Sequence, residues 1–316
     1  MPGEAGVLAL LNELQAAEHA GATALERWIA DCRDPLLRGG LRVARVRDAG
    51  HAAIAVERLT ELGGTPGGDV APALDRLCDV LGSRDASDGA KLEMLLARFP
   101  RSAHDPFAGV STMIDGDDET RAMLETVRDD DRLSVEWLRG VAAGQAAPPV
   151  ADHGGAEPRD VAAFVRALHA ATEGARDVRH AWVRVCGAPG LRGALRAVAV
   201  RTTAHASLLA ERVEELTGEA PRDALAPSVL SAARSWYGAA DVADADKLAA
   251  LLEWPAAGTA AALVDVYADT IGADVETREM LRLIAAAEHA THAWLVAYRG
   301  GGARTRPAAI ARLAPR

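Results

Sequence analysis

Residues 9–64 align with residues 163–218 without a gap, at a constant offset of 154. Leu14, Ala16, Ala17, Trp28 and Cys32 meet Leu168, Ala170, Ala171, Trp182 and Cys186. Leu37-Arg38-Gly39 meets Leu191-Arg192-Gly193, His51 meets His205, and Glu57-Arg58 meets Glu211-Arg212. The ends match at an offset of 157: Glu119-Thr120-Arg121 with Glu276-Thr277-Arg278, Met123-Leu124 with Met280-Leu281, and Trp137-Leu138 with Trp294-Leu295. A repeat this long is a tandem domain duplication, because solenoid units run to roughly 20–50 residues. The chain of 316 residues is long enough for two such domains, each with its own core.

Each copy reads as helices. Apolar or small residues at 7, 11, 14, 21, 25 and 28 follow one helical face, and a second helix runs from 36 to 63, stopping at Gly63-Gly64 with Pro66 beyond. A fourth helix starts near Asp117–Glu119 and ends at Gly140. The third region is less regular, interrupted at Pro100 and Pro106 in the first copy and at Pro255 in the second. Alternating β patterns are absent, so the expected architecture is all-α, two four-helix bundles. The bounds are 1–141 for copy one, 142–156 for an Ala/Gly/Pro-rich linker, 157–300 for copy two and 301–316 for a basic tail. Arg304, Arg306, Arg312 and Arg316 make that tail a mobile end or a peptide that docks to an acidic partner.

Composition narrows the function classes. A net charge of −10 argues against a general nucleic-acid binder, which needs a concentrated basic face. No apolar run is long enough to span a membrane, and the Met-Pro-Gly-Glu start lacks the pattern of a secretion signal. Cys32, Cys78 and Cys186 are odd in number and widely spaced, as expected of reduced core thiols in a cytoplasmic protein. The matched tryptophans Trp28, Trp182, Trp137 and Trp294 fit bundle packing better than ligand stacking. His19 and Glu173 lie one step off the stripe, and His169, His180, His104 and His153 are expected near the surface. Lys91 and Lys247 are the two lysines of the chain, a skew read as genomic composition. No phosphate loop, nucleophile elbow, zinc-type cluster or dinucleotide fingerprint occurs, and His289-x-x-His292 alone is weak.

The informative residues break their own apolar stripes. Glu18 lies between Leu14 and Gly21, Asp48 and His51 share a face of the second helix, and Asp131 and Ser134 share one in the fourth. Of the run Asp129-Asp130-Asp131, two are expected to be solvated and Asp131 to point inward. Buried carboxylates need a cation, hydrogen bonds or a metal, so three acids and a histidine converging in a bundle core form a candidate hard-metal site.

The segment Arg47-Asp48-Ala49-Gly50-His51, followed by Glu57 to Pro66, resembles the second helix of bacterioferritins and rubrerythrins. Val127 to Asp131 with Val135-Glu136-Trp137-Leu138 is similar to their fourth helix, and the likeness covers both copies. The resemblance implies ferritin-like bundles paired as a pseudo-dimer, the chain itself being a monomer or a homodimer. It also implies a metal site built from a Glu on each of helices one and three and a Glu-x-x-His pair on each of helices two and four. Carried over, copy one offers Glu18, Asp48, His51 and Asp131, but Ser134 stands where a histidine belongs and Arg98 near the helix-three glutamate. Arg98 is then a candidate for the positive charge that a second metal would bring. Copy two has Thr172, Thr202 and Thr291 at ligand positions, leaving His205, Glu253, Glu288 and His292 as a rearranged set.

Neither copy keeps the full complement of a di-iron centre. The expectation is a small-molecule enzyme with one iron or manganese ion in copy one, or none, and with oxidoreductase chemistry if metal binds. Its alternatives are metal-free acid–base catalysis, with His51 or His205 as proton carrier, and a non-catalytic ligand-binding scaffold.

Overall fold

A computed structural model describes residues 4–99, 114, 116–144, 161–221, 227–253 and 256–301 of the chain, and its regular structure is entirely α-helical. In chain order the helices are α1 (Glu4–Asp31), α2 (Pro35–Glu61), α3 (Pro72–Leu81), α4 (Asp88–Ala97) and α5 (Asp118–Ala142). They continue with α6 (Val161–Val183), α7 (Pro189–Thr217), α8 (Pro227–Tyr237), α9 (Asp244–Glu253), α10 (Ala256–Thr270) and α11 (Val275–Arg299). The three long helices expected in each copy are present. The third region is not one helix: among the described residues it holds α3 and α4 in the first half and α8, α9 and α10 in the second. Most of the linker, nearly all of the tail, His104, His153, Pro100, Pro106 and Pro255 lie outside the described residues.

Local chemistry sets the helix ends. Pro35 opens α2 at a position with no intrahelical N–H partner to lose, and Asp34 caps it, accepting from Leu36 N at 2.9 Å. Asp117 and Asp274 cap α5 and α11 by accepting from Thr120 N and Thr277 N, each at 3.0 Å. Each capping carboxylate is also held by an arginine, Arg58 at 2.9 Å and Arg212 at 2.8 Å. Gly218, at φ 74°, closes α7 in the left-handed region that a side chain would strain.

The long helices interlock across the halves. α1 lies along α2 and α6 along α7, while α5 packs along α7 and α11 along α2. Small residues permit this approach. A Cβ on Gly193 of α7 would overlap the Glu119 carbonyl of α5, and one on Gly39 of α2 would overlap the Glu276 carbonyl of α11. Beside these crossings Glu276 accepts from Arg38 at 2.8 Å and Arg42 at 2.9 Å, and Glu119 accepts from Arg192 at 2.8 Å and Arg196 at 3.0 Å. The apolar core is Leu-, Ala- and Val-rich, with Trp28 and Trp182 fully buried. Their indole N–H groups donate to Asp88 at 2.7 Å and Asp244 at 2.8 Å, and the same two acids approach Cys32 and Cys186. Both lysines are buried, Lys91 with its ammonium 5.6 Å from the centre of the Trp28 ring. Among the described residues no helix is long and apolar enough to cross a membrane.

Candidate metal centre

α1, α2 and α5 each send polar side chains into the first half. In α2, Asp48 and His51 are three apart and so share a face. Glu18 comes from α1 and Asp131 from α5, and each of the four residues offers a ligand atom within 4.8 Å of the others. Gly21 lines the cluster, where a Cβ would lie 3.1 Å from Asp48 Oδ2. His51 is buried, with Nδ1 3.4 Å from Asp131 and 3.6 Å from Glu18, outside good hydrogen-bond geometry. Its Nε2 lies 3.4 Å from Asp130.

Asp130 corrects the expectation that Asp131 alone of the acid run points inward. Consecutive helical residues diverge by roughly 100°. On α5, between α2 and α7, that angle places Asp131 in the cluster and Asp130 behind His51. Asp130 is 1% exposed and accepts from Arg201 of α7. Arg201 also donates to Thr291 of α11. Arg47 is buried beside them, donating to the Leu283 carbonyl at 3.0 Å and to Ser134 at 3.4 Å. Ser134, at the fourth-helix position where the resemblance expects a histidine, is thereby engaged by an arginine.

The electrostatics follow from burial and crowding. Burial, reinforced by Asp131 and partly relieved by His51, raises Glu18 from 4.5 to about 7. Burial, Glu18 and Asp131 hold Asp48 well above its ordinary range. Burial alone would depress His51, but the carboxylates of Asp130, Asp131 and Glu18 gathered around its ring favour the charged form and hold it well above 6.5. Asp130 moves the other way: against its burial, Arg201, then His51 and Arg47, keep it far below the usual carboxylate range. Burial brings Arg47 down to about 10.

In the second half the equivalent space is filled from within. Arg179 of α6 stands where the first half has Leu25, and it donates to Glu288 at 2.7 Å and to Thr202. This guanidinium outweighs burial and draws Glu288 down to about 2. His205 is fully buried, and burial beside Arg47 and Arg201 lowers it to about 3, so it is neutral. Glu253 is exposed at the end of α9 and bonded to Arg299 at 3.2 Å, and His292 is half-buried on α11. Of the four residues expected as a rearranged set in copy two, Glu288 is thus engaged by Arg179 and Glu253 by Arg299. Arg98 is exposed at the end of α4, and the cations beside the first-half acids are Arg47 and Arg201.

Arg47 and Arg201 occupy matched positions, so their shared burial was accessible to inspection, as was an arginine at the apolar position 179. Asp130, aligned with Ala287, carried no such signal. Burial and neighbouring acids push Cys32 and Cys186 up to about 12, which disfavours their thiolates.

Glu18, Asp48, His51 and Asp131 form a mixed carboxylate and imidazole set that could hold a metal ion. The buried Nδ1 of His51, without a hydrogen-bond partner and turned toward the carboxylates, has the placement of a ligand atom. No protein-family model matches the chain, and neither a curated protein nor a solved structure does so.

Proposed function

We propose that the chain is a duplicated ferritin-like metalloprotein that binds one divalent iron or manganese ion through Glu18, Asp48, His51 and Asp131, and uses it in oxidoreductase chemistry on a small molecule. The observation carrying this reading is the charge of the cluster. Glu18, Asp48, Asp130 and Asp131 face two guanidinium groups, Arg47 and Arg201, so with a neutral imidazole the site is short of two positive charges. That deficit equals one divalent cation, and buried carboxylates without one retain protons instead. The raised Glu18 and Asp48 describe that proton-filled alternative. When bound, iron or manganese supplies a Lewis acid and a one-electron redox couple. The chain's own groups do the rest: Glu18, Asp48 and Asp131 supply anionic oxygens, and the surrounding helices limit water. A guanidinium at the second-half position supports a single site per chain.

A metal-free reading rests on Glu18 itself. A carboxyl group at about 7 beside a histidine is suited to moving protons near neutral pH. Elemental analysis of protein expressed with iron and manganese separates the two. The expected result is close to one equivalent per chain, lost in Asp48→Asn and His51→Ala. Less than about a tenth of an equivalent in the unmodified chain overturns the metalloprotein reading.

A further inference from the structure

We infer that the second half of the chain completes the metal site of the first, with Arg201 and Asp130 acting as positioning residues for His51. This rests on the metal-site reading above and adds a requirement to it. His51 has two ring nitrogens, and Nδ1 can face a cation as a ligand only if Nε2 carries the proton. Asp130 provides the acceptor: its carboxylate lies 3.4 Å from Nε2, on the side of the ring away from Glu18 and Asp131. It can do so only if it is itself fixed, because a buried carboxylate with one partner would be costly and free to turn. Arg201, reaching from α7, binds it and is anchored in turn on Thr291 of α11. The chain of contacts therefore runs from α11 and α7 in the second half, through α5, to the ligand on α2.

This support runs in one direction. Arg47, the match of Arg201, finds Ala287 where Asp130 would stand, and donates instead to a backbone carbonyl and to Ser134. The second-half cavity is occupied by Arg179, with Thr172 and Thr202 in place of acids. The two halves thus divide the work: one presents ligands, and the other orients them.

Loading the full chain with Mn2+ and recording pulsed EPR tests this. The unmodified protein is expected to show coupling to one imidazole nitrogen, abolished by His51→Ala. Asp130→Asn and Arg201→Gln are expected to bind Mn2+ about 10–100-fold more weakly and to lose or shift that nitrogen coupling. Arg201→Lys, which keeps the charge, is expected to recover part of both, and it serves if Arg201→Gln does not fold. Unchanged affinity and nitrogen coupling in folded Asp130→Asn and Arg201 variants overturn the inference while leaving the metal site standing. Failure of the unmodified protein to bind Mn2+ overturns both.

Discussion

At the residue scale the candidate centre is a balance of charges that the fold has forced together. Glu18 is ordinary at 4.5 when unfolded and reaches about 7 when folded, so between those values the folded chain holds a proton that the unfolded chain has released. Stability of the ion-free protein should therefore fall as pH rises from about 4.5 to about 7, by on the order of 1–3 kcal/mol. His51, also raised, contributes in the same direction: its stabilisation is present below 6.5 and is lost as pH rises through the higher folded value. Glu18→Gln should flatten the slope and raise the melting temperature above pH 7. In the unmodified protein, Mn2+ should reverse the slope by replacing protons with metal. Thermal melts across pH, with chelator and with Mn2+, read both effects, and a steeper slope in Glu18→Gln would contradict this account. Much of this was legible in the residues: an acid inside an apolar stripe announces itself, and Glu18, Asp48, His51 and Asp131 do lie together. Asp130 was not legible, because its burial arises from a neighbouring helix of the other half.

At the element scale, close approach between helices governs the architecture. Gly193 and Gly39 sit where another helix's carbonyl leaves no room for a Cβ, so they serve packing in spite of their low helix propensity. Gly193→Ala should force α5 and α7 apart and cost about 1–3 kcal/mol. Gly89→Ala, in α4 with nothing near its Cβ, should be neutral or gain about 0.5–1 kcal/mol. Urea denaturation of the two variants checks the contrast, and equal effects would contradict the packing argument. The ends and stripes of the long helices could be read from proline, capping acids and periodicity, which act within a few residues. The third region was less legible as a whole, although Pro72 and the Ser87 cap mark the starts of α3 and α4. Arg98, which the resemblance sets near a helix-three ligand position, lies at the exposed end of α4.

At the scale of the whole molecule the halves are joined by buried charge as well as by apolar contact. Glu119 and Glu276 are nearly inaccessible, and each serves two arginines of the opposite half. Removing either acid takes one buried partner from arginines that keep others, Glu215 for Arg42 and Glu61 for Arg196, so Glu276→Ala should cost about 1–3 kcal/mol. The same coupling predicts one calorimetric unfolding transition, with its midpoint lowered in Glu276→Ala, and two separate transitions in the unmodified chain would contradict it. The all-helical character, the long-helix boundaries and the matched positions of the two halves were determined by the sequence alone, because periodicity, capping and repetition are local or linear properties. Tertiary structure decided that α5 lies against α7, that Arg201 meets Asp130, and that Arg179 fills the second-half site while the first keeps its acids. Those outcomes depend on which faces meet across distances of 70 residues or more, as in the Arg201–Asp130 and Arg179–Glu288 pairs, and linear spacing does not encode that choice.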